Sequence, residues 1–360
     1  MNRTRQLHDL GQSLWLDNIT RDILDNGTLR RYIEEFSVTG LTSNPTIFHQ
    51  AIANTTAYDA SIRDKANAGQ SGEGLFVDLA LEDLRRAADL FRPAFDATDG
   101  VDGWVSMEVS PLLADDTSGS IEAAVRIHRL ADRPNLYVKI PGTPAGIPAI
   151  EESIFAGVPI NVTLLFSRAQ YLDAAEAFLR GIERRLAAGR EPRVASVASL
   201  FVSRWDQAVS DQAPDHLRNR LGIAVATRTY RAYRELLASA RWRQLAALGA
   251  RPQRLLWAST GTKDPKASDT LYLEALAAPD TIATIPGKTL LAFADHGELD
   301  GAMAADGGEA EAALARFGDA GIDVDALAVQ LQRDGAQAFV SSWNALLARI
   351  ADKSAALIPA

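Results

Sequence analysis

Leu136-Tyr137-Val138-Lys139-Ile140-Pro141-Gly142-Thr143 is an apolar run of strand character that carries one lysine and stops at a Pro-Gly-Thr turn. Strand positions this apolar belong to a sheet covered on both faces. Lysine is rare there unless it is paired or functional. Burial lowers an amine's pKa because the charged form loses solvation. A neutral amine is a nucleophile, and its natural target is a carbonyl carbon, which it converts to a Schiff base. Taken alone, Lys139 reads equally well as a strand-end lysine whose ammonium snorkels to water. The rest of the chain decides between the two.

Runs of the same kind recur. Eight β-like segments stand at residues 13–19, 37–42, 103–109, 135–140, 159–165, 194–200, 254–259 and 281–285. A short helix-like lead at 4–10 precedes the first. Helical patterning follows at 20–35, within 47–90, at 167–186 behind the cap Ser167, and from the sixth segment to about residue 248. A last helix at 324–350 spaces Trp343, Leu346, Leu347 and Ile350 on one buried face. Alternating β and α elements argue for a parallel sheet. Eight units predict one closed (β/α)8 TIM barrel of the α/β class, spanning 1–360 as a single catalytic domain with extra N- and C-terminal helices. An open doubly wound sheet would carry G-x-G-x-x-G after its first strand; here Asp17-Asn18-Ile19-Thr20 follows instead. The polar segment 301–315 reads as a mobile loop or partly ordered helix.

The chain has 360 residues, 47% hydrophobic and 23% charged, which suits a globular enzyme. A net charge of −9 with no basic block argues against nucleic-acid partners. The absence of cysteine removes disulfides, thiolate metal sites and cysteine nucleophiles, and agrees with a cytoplasmic location. The first residues lack a signal-peptide core, and no apolar stretch approaches the ~20 residues of a membrane span. His8, His49, His128, His216 and His296 are scattered, without H-E-x-x-H spacing, so no metal site is expected. No phosphate loop or nucleophile elbow is present.

Chemistry on such a barrel collects where the strands end. Polar residues stand there on seven different segments. The first ends in Asp17, the second in Thr42-Ser43-Asn44, and the third carries Glu108. The fourth has Lys139. The fifth carries Asn161 and Thr163, two apart and so on one face. The sixth ends in Ser199, with Phe201 and Arg204 just beyond, and the seventh in Ser259, with Lys263 four residues on. Each has a plain alternative: Asp17 as a helix N-cap, Asn44 as a turn residue, Arg204 and Lys263 as surface charges. Glu108 resists one, because a carboxylate in an apolar strand needs a partner. That all of them fall on one rim by chance is the weaker reading.

These residues resemble the transaldolase family. The resemblance runs through Leu14-Trp15-Leu16-Asp17, Gly40-Leu41-Thr42-Ser43-Asn44-Pro45-Thr46, Val105-Ser106-Met107-Glu108-Val109, Val138-Lys139-Ile140-Pro141-Gly142-Thr143, Ile160-Asn161-Val162-Thr163-Leu164-Leu165-Phe166 and Ser199-Leu200-Phe201-Val202-Ser203-Arg204. It implies a barrel with its Schiff-base lysine on strand four. It implies transfer of a dihydroxyacetone unit from a ketose phosphate (fructose 6-phosphate or sedoheptulose 7-phosphate) to an aldose phosphate (erythrose 4-phosphate or glyceraldehyde 3-phosphate), as in the pentose phosphate pathway. No cofactor is implied, since the iminium is itself the electron sink.

On this reading Lys139 is the nucleophile, Glu108 moves protons through a water held by Thr163, and Asp17 takes the C4 hydroxyl proton. Asn44, Asn161 and Ser199 bind donor hydroxyls, and Arg204, Ser259 and Lys263 hold the phosphate. Many family members have arginine two residues past the strand-seven serine; here that position is Gly261, with Lys263 as the substitute. A fructose 6-phosphate aldolase of the same superfamily is the near alternative. It tends to carry glutamine where Glu108 stands and tyrosine where Phe201 stands. A non-catalytic sugar-phosphate-binding barrel would have lost Lys139, Glu108 or Asp17. Partners are then sugar phosphates, with no nucleic acid or membrane, and the protein a monomer or homodimer.

Overall fold

The protein is described by a computed structural model covering residues 3–358. Parallel strands β1 (Ser13–Asp17), β2 (Val38–Thr42), β3 (Trp104–Glu108), β4 (Leu136–Pro141), β5 (Ile160–Leu165), β6 (Ser196–Phe201), β7 (Gln253–Ala258) and β8 (Thr281–Ile285) close in chain order into a barrel. Closure is made by β1 against β8, with Leu14 beside Ala283 and Leu16 beside Ile285. The expected (β/α)8 architecture is therefore present, with helices on its outside.

Strand alternation assigns the interior. Trp15 and Asp17 share a face, as do Trp104, Ser106 and Glu108, Tyr137 and Lys139, Asn161 and Thr163, and Ser199 and Phe201. Trp15, Trp104 and Tyr137 fill the N-terminal end. Trp104 stacks on Tyr137 with centroids 4.1 Å apart, and Trp15 lies 6.0 Å from Tyr137. Gly40 makes room for this stack: a Cβ there would come within 2.7 Å of Trp15 Cδ1 and of the Trp104 carbonyl. The last residues of the inward rows face the C-terminal mouth, so polar side chains at strand ends become neighbours.

A helix of 34 residues, Val324–Leu357, lies across that mouth. Its Trp343, Leu346 and Ile350 are buried, as the spacing predicts, while Leu347 is only partly covered. Trp343 packs edge-on against Phe76, 5.1 Å between centroids. Its N-terminal half brings Gln332, Ala336 and Phe339 onto the barrel.

Several expected boundaries shift. The stretch 20–35 is two helices, Arg21–Asp25 and Thr28–Phe36, because Asn26-Gly27 breaks it with Gly27 at φ +78°. The N-cap is Thr20, whose side chain accepts from the Ile23 amide at 3.3 Å, so Asp17 is free of capping duty. The stretch 47–90 resolves into Pro45–Asn54, Asp59–Asn67 and Gly72–Ala97. In 301–315 a helix begins only at Ala310 and runs to Asp319. Among the described residues no helix is long and apolar enough to cross a membrane, and no group of three or more histidine or carboxylate residues is placed to hold a metal ion.

Candidate active site

Lys139 stands near the end of β4 and is only 6% exposed. The register sets it beside Glu108 of β3 and Asn161 of β5. Its Nζ lies 2.6 Å from Glu108 Oε1 and donates to the Ser43 carbonyl at 2.9 Å. The contact with Glu108 is one of charge without hydrogen-bond alignment, and among the described residues Oε2 has no hydrogen-bond partner. Burial pushes the Glu108 carboxyl above its ordinary value, against the pull of Lys139. A proton can therefore pass between Nζ and Oε1, and the carboxyl side binds it more tightly than a solvated glutamate would. Truncating either partner leaves the other buried without its counter-charge.

Asp17 ends β1 and faces the same cavity. Burial raises its carboxyl too, while Lys139 and, at longer range, Lys263 oppose the rise. Two carboxylates thus flank one amine from separate strands. Thr163 adds a hydroxyl that is buried and without a hydrogen-bond partner among the described residues. It stands beside Pro141 in the β4–β5 register, and its neighbour Leu164 takes a left-handed backbone at φ +59°, where the β5–β6 register breaks. A non-glycine residue held there costs about 1–3 kcal/mol, a strain that clusters at functional sites.

These groups open into a cavity lined by Asp17, Asn44, Lys139, Thr163, Ser199 and Arg204, together with Phe201, Ser259 and Phe339. Asn44 caps the helix Pro45–Asn54 by accepting from the Ile47 amide at 3.0 Å. It is therefore a cap and a cavity residue at once. Ser199 donates to Asn161 Oδ1 at 2.7 Å, and Asn161 Nδ2 donates to Ser106 Oγ at 3.2 Å. Asn161 is 1% exposed and is not part of the lining. It sits one inward row below Thr163 and orients Ser199 from beneath.

Arg204 comes from the helix Ser203–Ala208, which follows β6 directly and is anchored by Trp205 Nε1 donating to the Phe166 carbonyl at 3.1 Å. Its guanidinium lies over the rings of Phe201 at 5.0 Å and Phe339 at 5.7 Å. Burial lowers its pKa, with Glu108 opposing; guanidinium remains charged at any working pH. Ser259, at φ +57° just past β7, bonds Ser203 Oγ at 2.8 Å. The tip of β7 is thereby tied to the helix carrying Arg204. Lys263 departs from the expected cluster. It is exposed and lines a second, larger cavity with Ser203, Arg218 and Asn219.

The cavity has two ends of different chemistry. The Lys139 end holds an amine, two carboxyls and a hydroxyl shielded from water, which suits covalent capture of a carbonyl and proton transfer around it. The Arg204 end offers a fixed cation, a hydroxyl and an aromatic floor, which suits an anionic group. Thr284, Thr42 and Phe339 also line it, as do Leu256 and Ala258. Thr284 was visible as the last inward position of β8. Nothing in the sequence places Phe339 at the cavity, since which end of the barrel its helix covers is a tertiary fact.

A profile of the transaldolase/fructose-6-phosphate aldolase family matches residues 14–350. A protein named Transaldolase from Thiobacillus denitrificans is 45% identical over 358 residues, covering 97% of this chain and 100% of that protein. Similar proteins with the same name occur in Thermobifida fusca, 44% identical over 363 residues (98% of each chain), and in Saccharopolyspora erythraea, 43% identical over 354 residues (96% of each).

Proposed function

The chain belongs to the transaldolase/fructose-6-phosphate aldolase family, and from that premise we propose that it catalyses dihydroxyacetone transfer between sugar phosphates through a Schiff base on Lys139. The observation that carries this reading is the Lys139 Nζ–Glu108 Oε1 contact of 2.6 Å at a cavity shared with Asp17 and Arg204.

Lys139 Nζ adds to the C2 carbonyl of the ketose phosphate, and Glu108 takes the proton its amine sheds. Glu108, through a water held by the free hydroxyl of Thr163, returns a proton to the carbinolamine oxygen, which leaves as water and gives the iminium. Asp17 removes the C4 hydroxyl proton, the C3–C4 bond breaks, and its electron pair flows to the iminium nitrogen as an enamine. The aldose phosphate departs and an acceptor aldehyde enters. The enamine then attacks it, and the steps reverse to free Lys139. Each positioned acid or base contributes roughly 10²–10⁴-fold. Asn44 and Ser199 bind donor hydroxyls, with Asn161 holding Ser199 in place. Arg204 and Ser259 take the phosphate, and Lys263 adds long-range positive charge at the entrance. Such substrates are charged and do not cross membranes unaided, which suits a cytoplasmic enzyme of sugar-phosphate metabolism.

The family also contains aldolases that release free dihydroxyacetone. Phe201 argues against that outcome, because phenylalanine has no hydroxyl to help protonate the enamine. The test is to incubate the protein with fructose 6-phosphate, with and without erythrose 4-phosphate. Sedoheptulose 7-phosphate formed only with the acceptor is the expected result; free dihydroxyacetone formed at the same rate without it would overturn the transferase reading.

A further inference from the structure

We propose that Gln332, on the helix Val324–Leu357, is a positioning residue for Lys139 and Thr163, so that this helix is a working part of the active site. The proposal rests on the reaction assigned above. Gln332 is 9% exposed, and its Nε2 donates to two carbonyls, Gly142 at 2.9 Å and Leu164 at 3.0 Å. One carbonyl follows the end of β4, three residues after Lys139. The other belongs to the residue after Thr163. Gly142 in turn donates its amide to the Thr163 carbonyl at 2.7 Å. The three contacts tie the tips of β4 and β5 together with the amide of Gln332 as the bridge.

The bridge is needed because of the Leu164 backbone. Its positive φ takes β5 out of register with β6 between Val162 and Leu165. The carbonyl of Leu164 is thereby turned out of the strand ladder, and a buried carbonyl requires a donor. Gln332 supplies it. The same turn sets Thr163 where it lines the spaces shared with Lys139 and Glu108, its hydroxyl without a hydrogen-bond partner among the described residues. The helix can come close enough because Gly335 stands one turn on. A Cβ at Gly335 would fall 2.9 Å from Leu164 Cδ2 and 3.0 Å from Arg204 Nη1. Phe339, two turns from Gln332, then reaches both Arg204 and the cavity.

Gln332→Leu keeps the volume and removes both N–H donors. Its kcat is expected to fall on the order of 10- to 100-fold, since small misplacements from outside the chemistry have effects of that size. KM for fructose 6-phosphate stays within about threefold, because Arg204 and Ser259 are untouched. Borohydride trapping of the substrate on Lys139 slows in parallel with kcat. Gln332→Asn keeps an amide on a shorter arm and recovers part of the loss; should the leucine variant fail to fold, the asparagine variant carries the test, with kcat between wild type and zero and KM unchanged. Arg349→Ala is the control. It removes a different anchor of the same helix, the bond to the Ala53 carbonyl at 3.2 Å, and lowers the melting temperature with kcat at 25 °C unchanged. Variants of Gln332 that melt early but turn over at the wild-type rate would overturn the proposal, as would an Arg349→Ala variant as slow as Gln332→Leu. Absence of trapping in the wild-type protein would instead sink the assigned reaction.

Discussion

The two ends of the barrel interior are built from the same alternating rows, yet they bury opposite kinds of group. At the N-terminal end Trp15, Trp104 and Tyr137 fill the space with stacked rings, and the polar atoms of both indoles are satisfied: Trp15 Nε1 donates to Asp102 at 2.8 Å and Trp104 Nε1 to the Gly100 carbonyl at 3.0 Å. At the C-terminal mouth, two to four residues further along the same strands, stand Asp17, Glu108 and Lys139, and among the described residues the Glu108 carboxyl and the nearby Thr163 hydroxyl have no hydrogen-bond partner. One end is packed for stability. The other holds buried charge that weakens the fold and has value only for chemistry. Mutations at the two ends should therefore separate activity from stability.

Glu108→Gln tests the mouth most severely. Loss of the proton carrier lowers kcat by about 10²–10⁴-fold; the melting temperature also falls, because Lys139 is left buried without its counter-charge, so the kinetic defect is read on the folded fraction, and steady-state kinetics and calorimetry on one preparation check both. Trp104→Ala tests the other end. It removes a buried ring, destabilises by about 3–5 kcal/mol, and leaves kcat of the folded fraction near wild type; denaturant unfolding reads the first and active-site-titrated turnover the second. A large kcat defect in Trp104→Ala would erase the contrast. Lys263→Ala is milder. It raises KM for fructose 6-phosphate several-fold and leaves KM for unphosphorylated dihydroxyacetone alone, so an equal change in both would remove Lys263 from phosphate attraction.

The smallest effect is on pH. Asp17 must be ionised to take the C4 proton, and burial raises its folded-state pKa. Activity is present above that raised value and lost as pH falls through it, so the acid limb of kcat/KM lies above the ordinary aspartate range near 3.8. Stability runs the opposite way. A carboxyl whose pKa is higher folded than unfolded favours folding below its unfolded value and disfavours it once ionised. Asp17→Asn consequently raises the melting temperature at neutral pH by a few degrees while activity falls. An acid limb at or below the solvated aspartate value would show that Asp17 is not held as described.

Much of this contrast was legible in the chain. Period-two alternation put Lys139, Glu108 and Asp17 at strand ends, and eight strand-like runs fixed the barrel. β8 matches its expected bounds, Thr281–Ile285. What was not legible depends on contacts distant in sequence. Asn161 shares its strand face with Thr163 but lies a row deeper, and depth follows from the stagger of strands. Lys263 sits on a loop whose path no periodicity describes. Gln332 reads as a polar residue on an amphipathic helix, and its two carbonyl partners are 190 and 168 residues away. The break at Asn26-Gly27 did have a signal, a turn dipeptide inside an otherwise helical pattern.

The central claim is that Lys139 captures a ketone. Reduction with borohydride in the presence of fructose 6-phosphate, followed by peptide mass mapping, tests it directly. One sugar-derived adduct per chain on the peptide containing Lys139, absent in Lys139→Ala, is the expected result. An adduct on another lysine, or trapping that survives in Lys139→Ala, would contradict it.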